Sequence, residues 1–167
     1  PDNFTDLAMT LALYGHSSSE EILAKERSSI TNPDKLSRFD FLKPALSQKE
    51  EDRDRFFESF KEASNREKES WVLDACEYIH HPLHQSGSVK QVPLSLSLLD
   101  EIQKTGDIFF PKRWITSTIG QYTSKEAAKL VTDFLKDNPD FNPILKKKLL
   151  QGTDDLMRAQ KVSIAKN

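Results

Sequence analysis

Apolar side chains recur every three or four positions along most of this chain, the spacing that places one apolar stripe on an α-helix. The pattern predicts a first helix over residues 3–14, ended by Gly15, with a stripe of Phe4, Leu7, Leu11 and Tyr14. It predicts a second helix from Glu20 onward, with Ser17, Ser18 and Ser19 as possible caps and a buried side of Ile22, Leu23 and Ile30. Both are amphipathic, so each needs a neighbour to cover it.

Later helix starts are marked by residues that cap the first turn. Asn32 and Asn142 each precede a proline, a combination typical of a helix start, and Ser47 and Ser124 are further caps. The apolar residues of these predicted helices are Leu36, Phe39 and Leu42, which recur at threes; Phe56, Phe57 and Phe60; Trp71, Ala75, Cys76 and Ile79 on one face of 67–80; and Ala128, Val131, Phe134 and Leu135, which are predicted to be inside. One long final helix is predicted to run from Asn142-Pro143 through Leu145, Leu149, Leu150 and Leu156.

Residues 92–104 fit two patterns. Leu94, Leu96 and Leu98 alternate with serine, as in a strand, whereas Leu94, Leu98 and Ile102 have helical spacing. Pro93 suits the first turn of a helix, and no second strand candidate exists to pair with this one. The segment is therefore predicted to be a helix.

The residue pattern predicts an all-α fold without a sheet, formed as a superhelical stack of antiparallel helix pairs. Pair starts near residues 3, 47 and 92 lie about 45 residues apart, within the ~40–47-residue period of HEAT-like repeats. The period is not kept beyond these positions. The prediction is therefore an irregular HEAT/armadillo-like superhelix in which residues 1–167 form one domain.

The segment 105–114 joins two of these helices and is dense in large apolar groups. Gly106 is predicted to end one helix in the left-handed conformation, and Pro111 to preset the next helix, which is expected over 112–120. Connections between helices are usually short and polar. The joint is therefore predicted to be a fixed corner of the stack.

Charge and composition exclude several functions. Lys and Arg number 24 against 26 Asp and Glu, a net charge of −2 that gives no argument for binding nucleic acid or an anionic membrane. No apolar run approaches the ~20 residues of a membrane span, and the opening residues do not form a signal peptide. Because Cys76 is the one cysteine, an internal disulfide and a cysteine-only zinc site are excluded. The compartment stays open. The start at Pro1 suggests a piece of a longer chain.

Candidate catalytic chemistry is sparse. Cys76, His80 and His84 are spaced like metal ligands on one helix, with His81 beside them, but Pro82 disrupts the helix that would align them. The favoured interpretation is histidines that complement the dipole at a helix C-terminus, together with a buried cysteine. The sequence lacks the His-Glu-x-x-His signature of zinc proteases and every glycine-rich phosphate loop. No catalytic, cofactor-binding or metal-binding residue is predicted.

Lys112 and Arg113 are the two cations of interest. They follow Pro111 at a helix start, where the dipole disfavours positive charge, so they are candidates to contact a carboxylate. The alternative is exposed charge on either side of a buried Trp114, which is the commoner situation.

An ordered set of motifs over about residues 20–160 resembles the C-terminal helical domain of zinc-dependent aminopeptidases of the aminopeptidase N-like (gluzincin) family. The set is Asn32-Pro33-Asp34, Arg38-Phe39-Asp40-Phe41, Pro44-Ala45-Leu46-Ser47, Asn65-Arg66-Glu67, Trp71-Val72-Leu73, His81-Pro82-Leu83 and Gly106-Asp107-Ile108-Phe109-Phe110-Pro111-Lys112-Arg113-Trp114. The last motif is the most specific.

The resemblance implies a non-catalytic domain of a multidomain peptidase that removes N-terminal residues from peptides. Zinc and all catalytic groups would lie in a separate catalytic domain of the same polypeptide, so the chain alone is predicted to be inactive. The domain would pack on that catalytic domain and wall off the peptide chamber. In some members basic residues of this domain meet the far end of the peptide, a role for which Lys112 and Arg113 qualify by chemistry.

A second hypothesis is a stand-alone helical-repeat module that binds a protein or peptide in a concave groove. The motif set and the absence of an initial Met favour the aminopeptidase hypothesis. A third, a small enzyme built on the histidines, has little support.

Overall fold

The computed structural model describes residues 2–164, with side chains over 4–161, and this part of the chain is all-helical. The α-helices are α1 (Asp2–Leu13), α2 (Ser19–Ser29), α3 (Pro33–Leu42), α4 (Glu50–Ser59), α5 (Glu69–Ile79), α6 (Gln85–Ser88), α7 (Val92–Ser97), α8 (Leu99–Thr105), α9 (Phe110–Thr118), α10 (Lys125–Asp137), α11 (Pro143–Gly152) and α12 (Asp154–Ile164). Short 3₁₀ turns cover Lys43–Leu46, Ala63–Arg66, Pro82–His84 and Val89–Gln91.

The all-α prediction is confirmed, and residues 2–164 contain no strand. The superhelical pairing of the helices stays a prediction. None of the helices in this described part is long and apolar enough to cross a lipid bilayer.

Helix α1 forms as predicted, but its predicted apolar stripe does not face the core. Phe4, Leu7 and Tyr14 are 69%, 55% and 65% exposed. The helix instead packs on α2 and on the turn Lys43–Leu46 through Ala8, Met9, Ala12 and Leu13. Small side chains let neighbouring helices approach closely, so the face with two alanines is the one that fits against its neighbours. Gly15 ends the helix with φ of 69°, a left-handed conformation suited to glycine.

Three predicted caps form as hydrogen bonds. The side chain of Asn32 accepts from the backbone N–H groups of Asp34 and Lys35, and that of Asn142 accepts from two N–H groups of α11. Ser124 Oγ accepts from Ala127 N at 3.2 Å. Ser18 precedes α2 without a side-chain cap.

Ser47 is not the cap of α4, because the helix begins three residues later. Its hydroxyl accepts from Lys49 N at 3.2 Å and donates to Asp52 at 3.0 Å. The serine therefore orders the approach to the helix rather than its first turn.

Two long helices predicted from apolar spacing are each divided in two. Residues 92–104 are helical, as predicted, but α7 and α8 meet at a break at Leu98. The predicted final helix from Pro143 breaks at Thr153 into α11 and α12, and Leu150 is 48% exposed. Leu156 of α12 is fully buried, so α12 contributes to the core although it does not continue the register of α11.

The core is centred on α9, which packs against α5, α7, α8 and α11. Trp114 is fully buried and lies parallel to Phe57, with ring centroids 5.8 Å apart. Its indole N–H donates to Ser95 O at 3.0 Å, so the buried polar atom is satisfied. Helices from both halves of the described chain pack around α9, which carries the surface described next.

Candidate functional site

Side-chain hydrogen bonds hold the joint between α8 and α9. Asp107 Oδ1 accepts from the N–H groups of Phe109 and Phe110, at 2.6 and 2.9 Å, which satisfies two backbone donors at the start of α9. Glu69 Oε1, from α5, accepts from Asp107 N at 2.8 Å. The joint is thus tied both to the helix that follows it and to a helix distant in sequence.

Gly106 is needed for space, and the predicted left-handed conformation is wrong. Its φ is −93° and its ψ is 175°, an extended backbone that any residue adopts. A Cβ placed here would lie 2.5 Å from Cδ1 of Phe110 and 2.9 Å from the carbonyl oxygen of Ile102. The close approach of the Phe110 ring therefore requires glycine.

The large apolar residues of the joint divide into two sets. Phe110 and Trp114 are buried, whereas Ile108 and Phe109 are 72% and 68% exposed. Helix α9 begins at Phe110, two residues before its predicted start, so Phe109 is left outside the core. The corner is fixed by half of its apolar groups and presents the other half to solvent.

Lys112 and Arg113 lie in the first turns of α9, and both side chains are exposed on either side of the buried Trp114. Neither forms a hydrogen bond or an ion pair with a residue that the structure describes. They line a groove of about 420 Å³ whose walls are Glu77, Asp107, Phe109, Lys112, Arg113, Thr116 and Ser117. The side chains of Lys112 and Arg113 are thus exposed, and their contact with the carboxylate of a ligand stays a prediction.

Glu77 of α5 gives the groove a carboxylate beside its cations. Desolvation raises the pKa of Glu77 and the charge of Asp74 adds to the rise, while Arg113 opposes it. The groove therefore combines the cations Lys112 and Arg113, the Glu77 carboxylate with its raised pKa, and the exposed ring of Phe109. Such a mixture suits a peptide, which offers both charge and apolar surface.

Sequence reasoning missed Glu77 and Phe109. Phe109 stands in the same motif as Arg113, but the helix was predicted to begin at residue 112, so its place beside Arg113 could not be read from helical spacing. Glu77 carried no comparable signal, because its place in the groove depends on how α5 packs against α9.

The histidines do not form a joint site. His80 is fully buried at the end of α5, and its Nδ1 lies 2.7 Å from the hydroxyl of Tyr122. That hydroxyl lies 2.8 Å from Ser88 Oγ, which donates to His84 O at 3.0 Å. Burial lowers the pKa of His80 to about 3. The predicted role as a cation that complements the helix dipole is therefore wrong for His80, which is a neutral core residue.

The other two histidines of this cluster, His81 and His84, bind the local backbone. His81 Nδ1 accepts from Leu83 N at 3.3 Å, and His84 Nδ1 lies 3.0 Å from Tyr78 O. Among the described residues, no group of three His, Cys, Asp or Glu side chains is placed to hold a metal ion. Cys76 is fully buried, as predicted, and burial raises the pKa of its thiol well above the ordinary value.

The chain matches no protein-family model, no curated protein and no solved structure.

Proposed function

We propose that the chain is the non-catalytic C-terminal helical domain of a zinc aminopeptidase of the aminopeptidase N-like family. In this proposal it packs on the catalytic domain of the same polypeptide and walls the chamber in which peptides lose their N-terminal residues. One observation carries the proposal: the most specific motif of the resemblance, Gly106–Trp114, forms a fixed corner that holds two unpaired cations at the edge of a groove.

Each part of that motif has a physical role that supports the proposal. Gly106 makes room for Phe110, Asp107 caps α9, and Trp114 fills the centre of the core. These residues fix the backbone from which Lys112 and Arg113 project. A side chain that must meet a ligand benefits from such rigid support, because less freedom is lost on binding.

Lys112 and Arg113 would contact the carboxylate at the far end of a short peptide. Hydrogen bonds between a cation and a carboxylate are stronger than neutral ones, and their energy is larger inside a closed chamber than in water. Zinc would be held by the catalytic domain. This chain has no His-Glu-x-x-His and no suitable cluster among its described residues, so no catalytic step is assigned to it.

The coding region upstream of Pro1 is the first test. An in-frame His-Glu-x-x-His motif, together with zinc in the purified full-length protein, would support the proposal. A start codon just before Pro1 with no protease domain would contradict it and leave the stand-alone helical binding module.

The carboxylate role is tested in the full-length protein with Lys112→Ala and Arg113→Ala. Both changes should raise KM for short peptides much more than for a single-residue amide substrate, because only the peptide extends to the groove. The same substitutions at Lys125 and Lys136, exposed on α10, are the control and should change neither KM. Equal effects on both substrates would contradict the role.

A further inference from the structure

Helices α5 and α9 lie side by side and run in the same direction. At their starts, Glu69 Oε1 of α5 accepts from Asp107 N, just before α9, at 2.8 Å. Past their ends, His80 Nδ1 lies 2.7 Å from the hydroxyl of Tyr122. The groove of about 420 Å³ is lined by Glu77 of α5, by the joint and by α9, so its walls are held together at both ends.

The groove presents charges of both signs. Lys112 and Arg113 line it together with Glu77 and Asp107. Glu77 forms no hydrogen bond or ion pair with a residue that the structure describes, although the charge of Arg113 reaches it and acts to lower its pKa. Desolvation outweighs that effect and raises the pKa of Glu77. A ligand cation beside Glu77 would therefore supply positive charge that Arg113 does not supply by contact.

Ser117 adds an unused hydrogen-bonding group to the groove. It lines the groove and is 4% exposed, and its hydroxyl has no hydrogen-bond partner among the described residues. The threonines on either side, Thr116 and Thr118, instead donate to carbonyls of the preceding turn. Ser117 Oγ is not among the enclosed unpaired atoms of the described chain, so it stays accessible. Buried polar groups normally have a partner, and a ligand in the groove would provide this one.

We propose that this groove binds the C-terminal residue of a short peptide when that residue is Lys or Arg. Lys112 and Arg113 hold its terminal carboxylate, and Glu77 with Ser117 holds its basic side chain. The inference rests on the carboxylate role within the proposed function and deepens it by naming the class of peptide.

A C-terminal Lys or Arg matches the groove because it carries both charges on one residue. Its carboxylate and its side-chain cation are joined by a flexible apolar stem, so they can reach groups of opposite charge on two helices. An apolar C-terminal residue would leave Glu77 without a counter-charge, and an acidic one would be repelled by it. The exposed ring of Phe109 is placed to contact the residue before the last.

The probe is the peptide Ala-Phe-Arg with fluorescein on its amine and a free carboxylate. Fluorescence anisotropy with the 167-residue chain should show saturable binding. The same peptide with citrulline, which keeps the shape of arginine but is neutral, should bind at least about threefold more weakly. The peptide with a C-terminal amide should also bind at least about threefold more weakly, because it lacks the carboxylate.

Substitution of Glu77 locates the contact with the basic side chain. Glu77→Gln should abolish the difference between the arginine and citrulline peptides and leave the difference between acid and amide. The matched control, Glu126→Gln on α10, makes the same change of net charge and should keep both differences. Both glutamates are exposed, and circular dichroism checks that the variants fold. Ser117→Ala should weaken binding of the arginine peptide by about twofold to tenfold, since it removes one hydrogen bond.

The outcomes separate this inference from the proposed function. Equal binding of the arginine and citrulline peptides, or a difference that persists in Glu77→Gln, would overturn the inference and leave the carboxylate role standing. No saturable binding, equal binding of the acid and the amide, or unchanged affinity of Ser117→Ala would overturn the placement of a peptide C-terminus in this groove. The assay measures binding to this chain alone, so its result does not depend on a catalytic domain.

Discussion

Helices α1 and α9 differ in how completely their neighbours surround them. Helix α9 packs against four other helices and buries Trp114 and Ile115 fully. Helix α1 packs on one side, and three members of its most regular apolar stripe, Phe4, Leu7 and Tyr14, face away from the core. Apolar spacing thus predicts that a helix forms, whereas the arrangement of neighbours decides which face is covered. In a helix at the margin of the fold, such as α1, the face with the regular apolar spacing and the face that is buried can differ.

The largest expected effect is at the centre of the core. Trp114→Ala should lower the free energy of unfolding by about 3–5 kcal/mol, since it removes a fully buried ring and leaves a cavity. Phe109→Ala, in the same joint but 68% exposed, should cost less than about 0.5 kcal/mol. Urea denaturation measures both. Similar losses for the two variants would mean that the joint is not divided into buried and exposed halves.

An intermediate effect is expected from pH at His80. Its pKa is about 3 in the folded chain and 6.5 as the ordinary value, so only the unfolded state takes up the proton between these values. The stability that depends on neutral His80 is complete above pH 6.5 and is lost as pH falls towards 3, by up to about 1.4 kcal/mol per pH unit. This pH dependence of stability comes from a residue of the core, and helix α1 contains no histidine that could add a similar contribution.

Denaturation at pH 7 and pH 5 compares the wild type with His80→Phe. Above pH 5 most carboxyl groups stay ionised, so the histidine contribution stands out. The wild type should lose more stability between the two pH values than the variant does. Equal losses would contradict the buried neutral state of His80.

The smallest effect is expected on the exposed stripe of α1. Leu7→Ser should change the free energy of unfolding by less than about 0.5 kcal/mol, because this side chain is already more than half exposed. Met9→Ala, on the buried face two residues away, should cost about 2–5 kcal/mol. If Leu7→Ser proved as costly as Met9→Ala, the orientation of α1 would be wrong.

The sequence predicted the elements well where capping chemistry is local. Asn32, Ser124 and Asn142 bond to N–H groups two or three residues away, so their effect is independent of the rest of the fold. Breaks inside helices were not predictable in this way. The apolar spacing from Leu145 to Leu156 continues across Thr153 although the helix does not.

The candidate site was predicted only in part, for a related reason. Lys112 and Arg113 were identified from a charge at a helix start, which is a local signal. Glu77 joins them because α5 packs against α9, and Gly106 is required because the Phe110 ring turns back towards it. Contacts of this kind depend on tertiary packing, which residue spacing along one segment does not contain.

The two tryptophans of this chain give it a pair of built-in optical reporters. Trp114 is sealed in the core against Phe57, whereas Trp71 is half-buried with the Lys68 ammonium 5.8 Å from its ring centroid. A soluble quencher such as acrylamide should therefore reach Trp71 first, and its access to Trp114 should report the opening of α9 itself. Fluorescence of this one chain thus distinguishes a disturbance at its surface from the collapse of its centre, without any added label.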